Sequence, residues 1–394
     1  MEEQEKMYWS ALQAGLPDTT RGIVMQLISC YGSMEAFWRA RDTVPISSLT
    51  NQTREKLIRL RGGVSPEKLW EDCRRKKVKT VACIEEAYPR ELLFFPDSPV
   101  ILYYYGETAL LHRPSAGVVG SRRCTAYGQK VAFDFSRVLG EAGFCIVSGM
   151  AKGIDAAAHE GALSAKAGTI AVLGCGVDIP YPPDNRKLYW RIREEGLILS
   201  EFSPGEKPLQ WHFPLRNRII SGLSRFILLV EGQARSGALI TCNWAAEQGK
   251  DVWAVPGPVT NPYSIGPLLL IRDGAMMAIT AQDVLRAYVP EDGLHSRKQA
   301  ERSPGPGERD RQTGAGQLSL ALAGEPARSA LSTGERKLYE NISYYPVHIN
   351  SLLSWYSTQS DKHGKTEGML YLDLTKLQAL RLIEKLPGDY YQRI

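Results

Sequence analysis

The spacing of apolar positions changes several times along the chain. Over residues 1–65, apolar runs at 8–12, 24–28 and 36–38 recur at helical intervals, punctuated by Gly15, Pro17, Gly32, Gly62 and Gly63. The pattern predicts a small bundle of short helices. Such bundles sometimes carry helix-hairpin-helix turns, but the connection AGLPDTT lacks that turn's glycine pair, which favours packing or protein interaction over DNA contact. The basic run RRKKVK at 74–79 reads as a solvated helix end. Residues 88–106 carry Pro89, Pro96 and Pro99 ahead of VILYYYG, so 66–116 reads as a connecting segment entering a strand.

From residue 117 to about 290 the pattern is different. Six short apolar runs, AGVVG, FCIVSG, TIAVLG, LILSEF, FILLVEG and DVWAVPG, alternate with helix-patterned stretches at 129–141, 155–165, 185–195, 215–223 and 238–248. Strands apolar on both faces and separated by helices predict a parallel sheet covered on both sides, a doubly wound Rossmann-like α/β domain. Residues 291–329 are rich in proline, glycine and charge, and predict a disordered linker. Over 330–394, Leu338, Ile342, Ile349, Leu352 and Leu353 mark two helices, 370–383 a third, and LPGDYYQRI a terminal strand. That is the outline of a winged-helix module.

Composition adds bounds. The 394 residues are 43% hydrophobic and 23% charged, with a formal net charge of +5. That balance permits nucleic acid as a partner without requiring it, so an anion would have to meet locally clustered charge. Seven cysteines, Cys30, Cys73, Cys83, Cys124, Cys145, Cys175 and Cys242, are scattered with no CxxC pair and read as reduced cytosolic thiols. The start MEEQEKMYW is acidic and polar, unlike a signal peptide, and no apolar run approaches the roughly 18 residues needed to span a membrane. A soluble cytoplasmic protein is expected.

In open α/β sheets, ligands bind at the carboxyl ends of the strands. The segments that follow the six strands are GSRRCTAYG, SGMAKGID, GCGVDIPYP, EFSPG leading to FPLRNRIISGLS, EGQARSGALIT and PGPVTNPYSIGP. Each is rich in glycine, small hydroxyl residues or arginine. Small residues let backbone N–H groups approach an anion, and each following helix offers its positive N-terminus. The candidate phosphate-binding residues are Gly120, Ser121, Arg122, Arg123, Gly128, Ser148, Gly149, Lys152, Gly153, Arg216, Asn217, Arg218, Arg235, Ser236 and Gly237. Arginine suits this task because its planar fork binds two oxygens. One of Arg216 and Arg218, which flank Asn217, is open to a structural carboxylate instead. Asp155 and His159 share a helix face at i, i+4, but no third ligand accompanies them. A helix cap at Asp155 and a structural hydrogen bond at His159 are expected.

The search for catalytic motifs is empty. No GxGxxG follows the first strand, no acidic residue ends the second, and no GxSxG, HExxH or GxxxxGK[ST] string occurs. No metal set and no cofactor is expected. The run PLLLI at 267–271 cannot hide all its apolar residues in one short helix. Leu268, Leu269, Ile271, Met276 and Met277 are therefore candidates for an interface.

Taken together, the strings resemble the DprA/Smf family. VGSR-x-x-T-x-YG is matched at 119–128 and SG-x-A-x-GID-x-x-AH at 148–159. IAVLG-x-G-x-D-x-x-YP, LSE, FP-x-RNRII-x-GLS, SG-x-LIT and PG…LI-x-x-GA are matched across 170–275. The resemblance implies a protein that binds single-stranded DNA, forms homodimers and loads the RecA recombinase during natural transformation, and that is not an enzyme. It implies a phosphate pocket at Gly120, Ser121 and Arg122 with the segment Arg216, Asn217 and Arg218 beside it. It also implies that the 267–277 region contributes to the homodimer. The sequence departs from the family where Pro183 follows the YP in place of a lysine and where Pro267, Leu268 and Leu269 follow Gly266. Two other classes stay open. A nucleotide-hydrolysing phosphoribohydrolase would need a PGGxGT-x-x-E loop where ARSGALIT stands. A nucleotide-sensing regulator would need a more basic recognition helix than Lys376, Arg381 and Lys385 provide.

Overall fold

A computed structural model describes residues 1–17, 19–40, 44–288, 331–342, 347–358, 367–380, 382–386 and 390–393. The chain divides into two compact units, Met1–Ser303 and Pro304–Ile394. The predicted linker at 291–329 lies outside the described residues.

The first unit is built on a nine-stranded sheet: β1 (Lys79–Ala82), β2 (Ile101–Gly106), β3 (Ser115–Val119), β4 (Cys145–Ser148), β5 (Thr169–Val172), β6 (Leu197–Ser200), β7 (Phe226–Leu229), β8 (Asp251–Ala254) and β9 (Met276–Met277). Their spatial order is β1-β2-β6-β5-β4-β3-β7-β8-β9. The six strands expected from the apolar runs all form and pair in parallel, with β9 added beyond β8. The residues of β3 to β7 are buried throughout, as strands covered by helices on both faces must be. The covering helices between them are α6 (Ala126–Glu141), α7 (Ile154–Ser164), α8 (Arg186–Glu195), α9 (His212–Leu223) and α10 (Gly237–Glu247), followed by α11 (Ile265–Arg272) and α12 (Ala281–Tyr288).

The segment 66–116 is more than the expected connection. Its β2 extends the sheet antiparallel to β6, β1 pairs antiparallel with β2, and the basic run expected to end a helix runs from α5 (Pro66–Arg75) into β1 at Lys79. The N-terminal helices α1 (Glu3–Gly15), α2 (Arg21–Tyr31), α3 (Met34–Arg39), α4 (Asn51–Gly63) and α5 share one core with this side of the sheet. Gln13 fixes the junction. Its side-chain amide bonds both the N–H and the carbonyl of Ile101 in β2, and donates to the carbonyl of Glu201. A buried amide needs such partners, and here every one is main chain.

The second unit holds α13 (Thr333–Asn341), β10 (Val347–His348), α14 (Ile349–Thr358), α15 (Glu367–Ala379), β11 (Ile383–Leu386) and β12 (Tyr390–Arg393). Its strands form an antiparallel sheet in the order β10-β12-β11. Ser332 and Glu335 make a reciprocal cap at the start of α13, and Leu338, Leu352, Leu370 and Leu377 meet in its core. Among the described residues, no helix is long and apolar enough to cross a membrane.

Candidate functional site

The chain lays down β3, β4, β5 and β6 in one direction, then crosses back to place β7 on the other side of β3. That reversal opens a crevice at the carboxyl ends of β3 and β7, where such folds bind ligands. A cleft of about 680 Å³ lies there. Its charged lining residues are Arg122, Arg123, Arg216 and Asp155, three cations against one carboxylate.

The turn after β3 is held from beneath. Ser121 donates its N–H to the carbonyl of Glu231 at 2.7 Å, and its Oγ accepts from Arg123 N at 3.1 Å. The buried Glu231 carboxylate accepts from both the N–H and the hydroxyl of Thr125, at 2.8 and 2.7 Å, while Thr125 Oγ1 caps α6 by accepting from Gly128 N. The glycines follow from crowding: a Cβ on Gly120 would meet the Glu231 carbonyl at 2.8 Å, and one on Gly128 would strike the Glu231 carboxylate. Arg122 and Arg123 are exposed above this base. The Arg122 guanidinium lies 5.1 Å from the centre of the Phe213 ring.

The loop after β4 forms the next wall. Ser148 is fully buried and donates to the carbonyl of Val118, so it serves the sheet rather than the cleft. Asp155 does not cap its own helix, contrary to expectation. Its Oδ2 accepts from the N–H groups of Gly149 and Ala151, which tie the preceding loop to α7. Burial pushes its carboxyl above the usual aspartate range, and the nearby Arg216 guanidinium opposes that. Gly153 adopts φ +78°, and a Cβ there would meet the carbonyl of Ser121 at 2.5 Å. Lys152 sits outside the cleft lining and pairs with Asp184 at 2.7 Å, both half exposed.

Helix α9 separates the two arginines. Arg216, 4% exposed, donates from Nη1 to the carbonyl of Gly149 at 2.9 Å and to that of Val172, bridging the ends of β4 and β5. Burial lowers its guanidinium to about 10, so it is charged at neutral pH. Asn217 accepts from Arg216 Nε and donates to the carbonyl of Gly237 at the start of α10. Arg218, expected on the rim, is turned away. It makes a two-pronged ion pair with the buried Glu201 at 2.8 and 2.7 Å and lies 3.3 Å from Asp97. Two residues on a helix are about 200° apart, so Arg216 and Arg218 cannot share a face.

Of the remaining expected residues, Ser236 and Gly237 line the cleft at the N-terminus of α10, with Ser236 Oγ capping it, whereas Arg235 is exposed outside the lining. His159 is buried and bonds Thr169 Oγ1 at 2.7 Å, a structural contact as expected. Among the described residues, no group of three or more His, Cys, Asp or Glu is placed to hold a metal. Leu268, Leu269 and Ile271 on α11 are half-buried, as is Met276, while Met277 on the sheet-edge strand β9 is exposed. The sequence reading passed over three lining aromatics, Tyr181, Phe213 and Tyr263. The Tyr181 and Phe213 rings are 5.7 Å apart. Their YP and FP strings are local, but the contact between residues 32 positions apart is not.

The model of the family described as DNA recombination-mediator protein A matches residues 79–289, from β1 to the end of α12. The DNA processing protein DprA of Streptococcus pneumoniae is 45% identical over 213 residues, covering 54% of this chain and 75% of that protein. Protein Smf of a Synechocystis species is 32% identical over 410 positions that span all of both chains. The crystal structure of the Streptococcus pneumoniae protein superposes with a TM-score of 0.63 at 35% identity, covering 72% of this chain and 98% of that one. The sheet with its carboxyl-edge cleft, and the match across it, place this chain in the DprA/Smf family of DNA recombination mediators.

Proposed function

We propose that this chain, a member of a family of recombination mediators, binds single-stranded DNA through its phosphates along the carboxyl edge of the sheet and delivers it to the RecA recombinase. The observation that carries the reading is the cleft at the β3–β7 reversal, with Arg122, Arg123 and Arg216 against the single carboxylate of Asp155. Arg216 spends one Nη on carbonyls of its own loops and stays charged, while Arg122 and Arg123 reach solvent. The N-termini of α6 and α10 add partial positive charge on the same rim. Tyr181, Phe213 and Tyr263 give bases π-faces to stack on, which single strands offer and paired duplexes do not.

The role is binding rather than catalysis. The two buried carboxylates nearest the cleft, Asp155 and Glu231, are both engaged by backbone N–H donors that organise loops, which disfavours either as a general base. Delivery to RecA and homodimer formation through α11 and β9 rest on the family resemblance and on the apolar residues left half-covered there. The helix–strand–helix–helix–strand–strand order of the second unit supports a winged-helix reading of it.

Competition between labelled single-stranded and duplex oligonucleotides of one sequence, read by fluorescence anisotropy on the full chain, tests the proposal. Single strands are expected to win by at least about tenfold, since each stacked base adds roughly 1–3 kcal/mol that a duplex withholds. Equal affinity for duplex would overturn it.

A further inference from the structure

We propose that Asn185, which does not line the cleft, is a positioning residue for it, acting as a clamp on a strained loop. The inference rests on the cleft being the DNA site. The loop Gly149–Gly153 passes through Met150 at φ +60°, a left-handed conformation rare for a long unbranched side chain, and that side chain is fully buried. Such a conformation persists only when its surroundings over-determine it. Here they do. The carbonyl of Gly149 accepts from Arg216 Nη1 at 2.9 Å. The carbonyls of Met150 and Ala151 accept from the two hydrogens of Asn185 Nδ2, at 2.7 and 3.1 Å. The N–H groups of Gly149 and Ala151 go to Asp155 Oδ2 at 3.1 and 3.3 Å.

Arg216 and Asp155 belong to the cleft lining, and Ala151 does too, but Asn185 stands behind it at the end of the short helical turn Pro183–Asn185. Its amide holds the carbonyl of the left-handed residue and that of the residue after it, while Arg216 holds the carbonyl before it. Only a side chain with two N–H donors and no charge fits two adjacent carbonyls in this way without adding a cation beside Arg216. Asparagine therefore sets the loop conformation that seats Ala151 and orients the carbonyl anchoring Arg216. Through them it sets the cation in the cleft.

The test compares full-length wild type with Asn185→Ala, Asn185→Asp and the double variant Asn185→Ala/Met150→Gly. It reads hydrogen exchange of the DNA-free protein and anisotropy with a labelled oligothymidylate. Asn185→Ala is expected to speed exchange at 149–153 about tenfold while β4 and α8 stay protected, which marks local rather than global opening. Its DNA affinity should fall roughly five- to tenfold, the scale of one lost hydrogen-bonded contact. Asn185→Asp, of the same shape but with oxygens facing carbonyls, should fall further. Adding Met150→Gly should recover part of the affinity, because glycine adopts a positive φ without strain, while the lost buried side chain lowers the melting temperature. Unchanged exchange at 149–153 in Asn185→Ala would overturn the clamp, whatever the affinity. Faster exchange with unaltered affinity would overturn the positioning role. Arg122→Ala run in parallel separates the two readings: if it too leaves affinity unaltered, the cleft itself is not the DNA site.

Discussion

Arg216 donates from Nη1 to the carbonyl of Gly149 at 2.9 Å, and a Cβ on Gly149 would lie 2.6 Å from Nη2 of the same guanidinium. The glycine is there because the arginine is. The guanidinium is buried, anchored to two carbonyls and backed by Asp155 Oδ2, which lies 2.8 Å from the same Cβ position.

Gly149→Ala therefore displaces the buried cation of the cleft. Single-stranded DNA affinity should fall roughly fivefold or more, and the melting temperature by about 2–4 °C if the strain costs about 1 kcal/mol. Anisotropy and calorimetry on one preparation check both. Unchanged affinity at a lowered melting temperature would make Arg216 a structural residue only.

Arg218 should behave in the opposite way. Its side chain is 6% exposed and that of Glu201 3%. Arg218→Met leaves a buried carboxylate without its partner and should destabilise the protein by about 3–5 kcal/mol. The second substitution Glu201→Gln should restore part of that loss. DNA affinity measured well below the melting temperature should stay within about twofold of wild type, since no phosphate contact is removed. A large affinity loss in a stably folded Arg218→Met protein would return Arg218 to the rim.

Stability should fall with acid in a window set by His159. The Thr169 hydroxyl gives its proton to the carbonyl of Ile146, so its oxygen accepts from His159 and Nδ1 carries the imidazole hydrogen. Among the described residues the buried Nε2 has no partner, and burial lowers the group to about 3. The unfolded chain binds the proton near 6.5 and the folded one does not. Stability is therefore fully present above 6.5 and declines as pH falls toward 3, by about 1.4 kcal/mol per pH unit for this one group. Asp155, with its carboxyl raised by burial, contributes with the opposite sign above its ordinary value. Chemical denaturation of wild type and His159→Gln at pH 7, 5.5 and 4.5 reads the difference. The two should converge as pH falls, and a constant gap would show that His159 does not titrate on unfolding.

Much of this architecture was legible in the sequence, for a physical reason. Strands β3 to β7 are covered on both faces, so their apolar runs are continuous and cannot be mistaken for half-exposed strands. β1 was not legible. KTVA begins with a charged residue on the sheet edge and shows only two buried positions, which is too short a signal beside RRKKVK. The glycine-rich turns pointed to the correct edge because a close approach leaves its mark at the residue that is approached. Which of Arg216 and Arg218 faces the cleft depends on helix register against the ends of β4 and β5, and the answer lies at Glu201 and Gly149, far away in sequence. Asp155 read as a cap by position alone, yet its acceptor oxygen reaches backward to Gly149 and Ala151.

The apolar segment on α11 and β9 carries the assembly prediction. Ile271 is half-buried and Met277 exposed at the open edge beyond β8, so a partner would cover both. Ile271→Glu should yield a folded monomer, and binding to long single strands should weaken more than binding to short ones, as expected when two linked sites lose their effective concentration. Sedimentation velocity of both proteins at matched concentration checks it. A wild type already monomeric at tens of micromolar, or a variant that remains dimeric, would move the interface elsewhere.

The central claim is that arginines on the β3–β7 rim neutralise phosphates of a single strand. The most direct measurement is the affinity of wild type and Arg122→Ala for a labelled oligothymidylate across a salt series. Wild-type log affinity should fall linearly with log salt, at a slope near −0.7 per phosphate neutralised. Arg122→Ala should bind about 1.5–3 kcal/mol more weakly, as for a lost hydrogen bond to a charged group, with its slope shallower by about 0.7 and its melting temperature close to wild type. A wild-type affinity indifferent to salt, or an Arg122→Ala slope equal to that of wild type, would contradict the account.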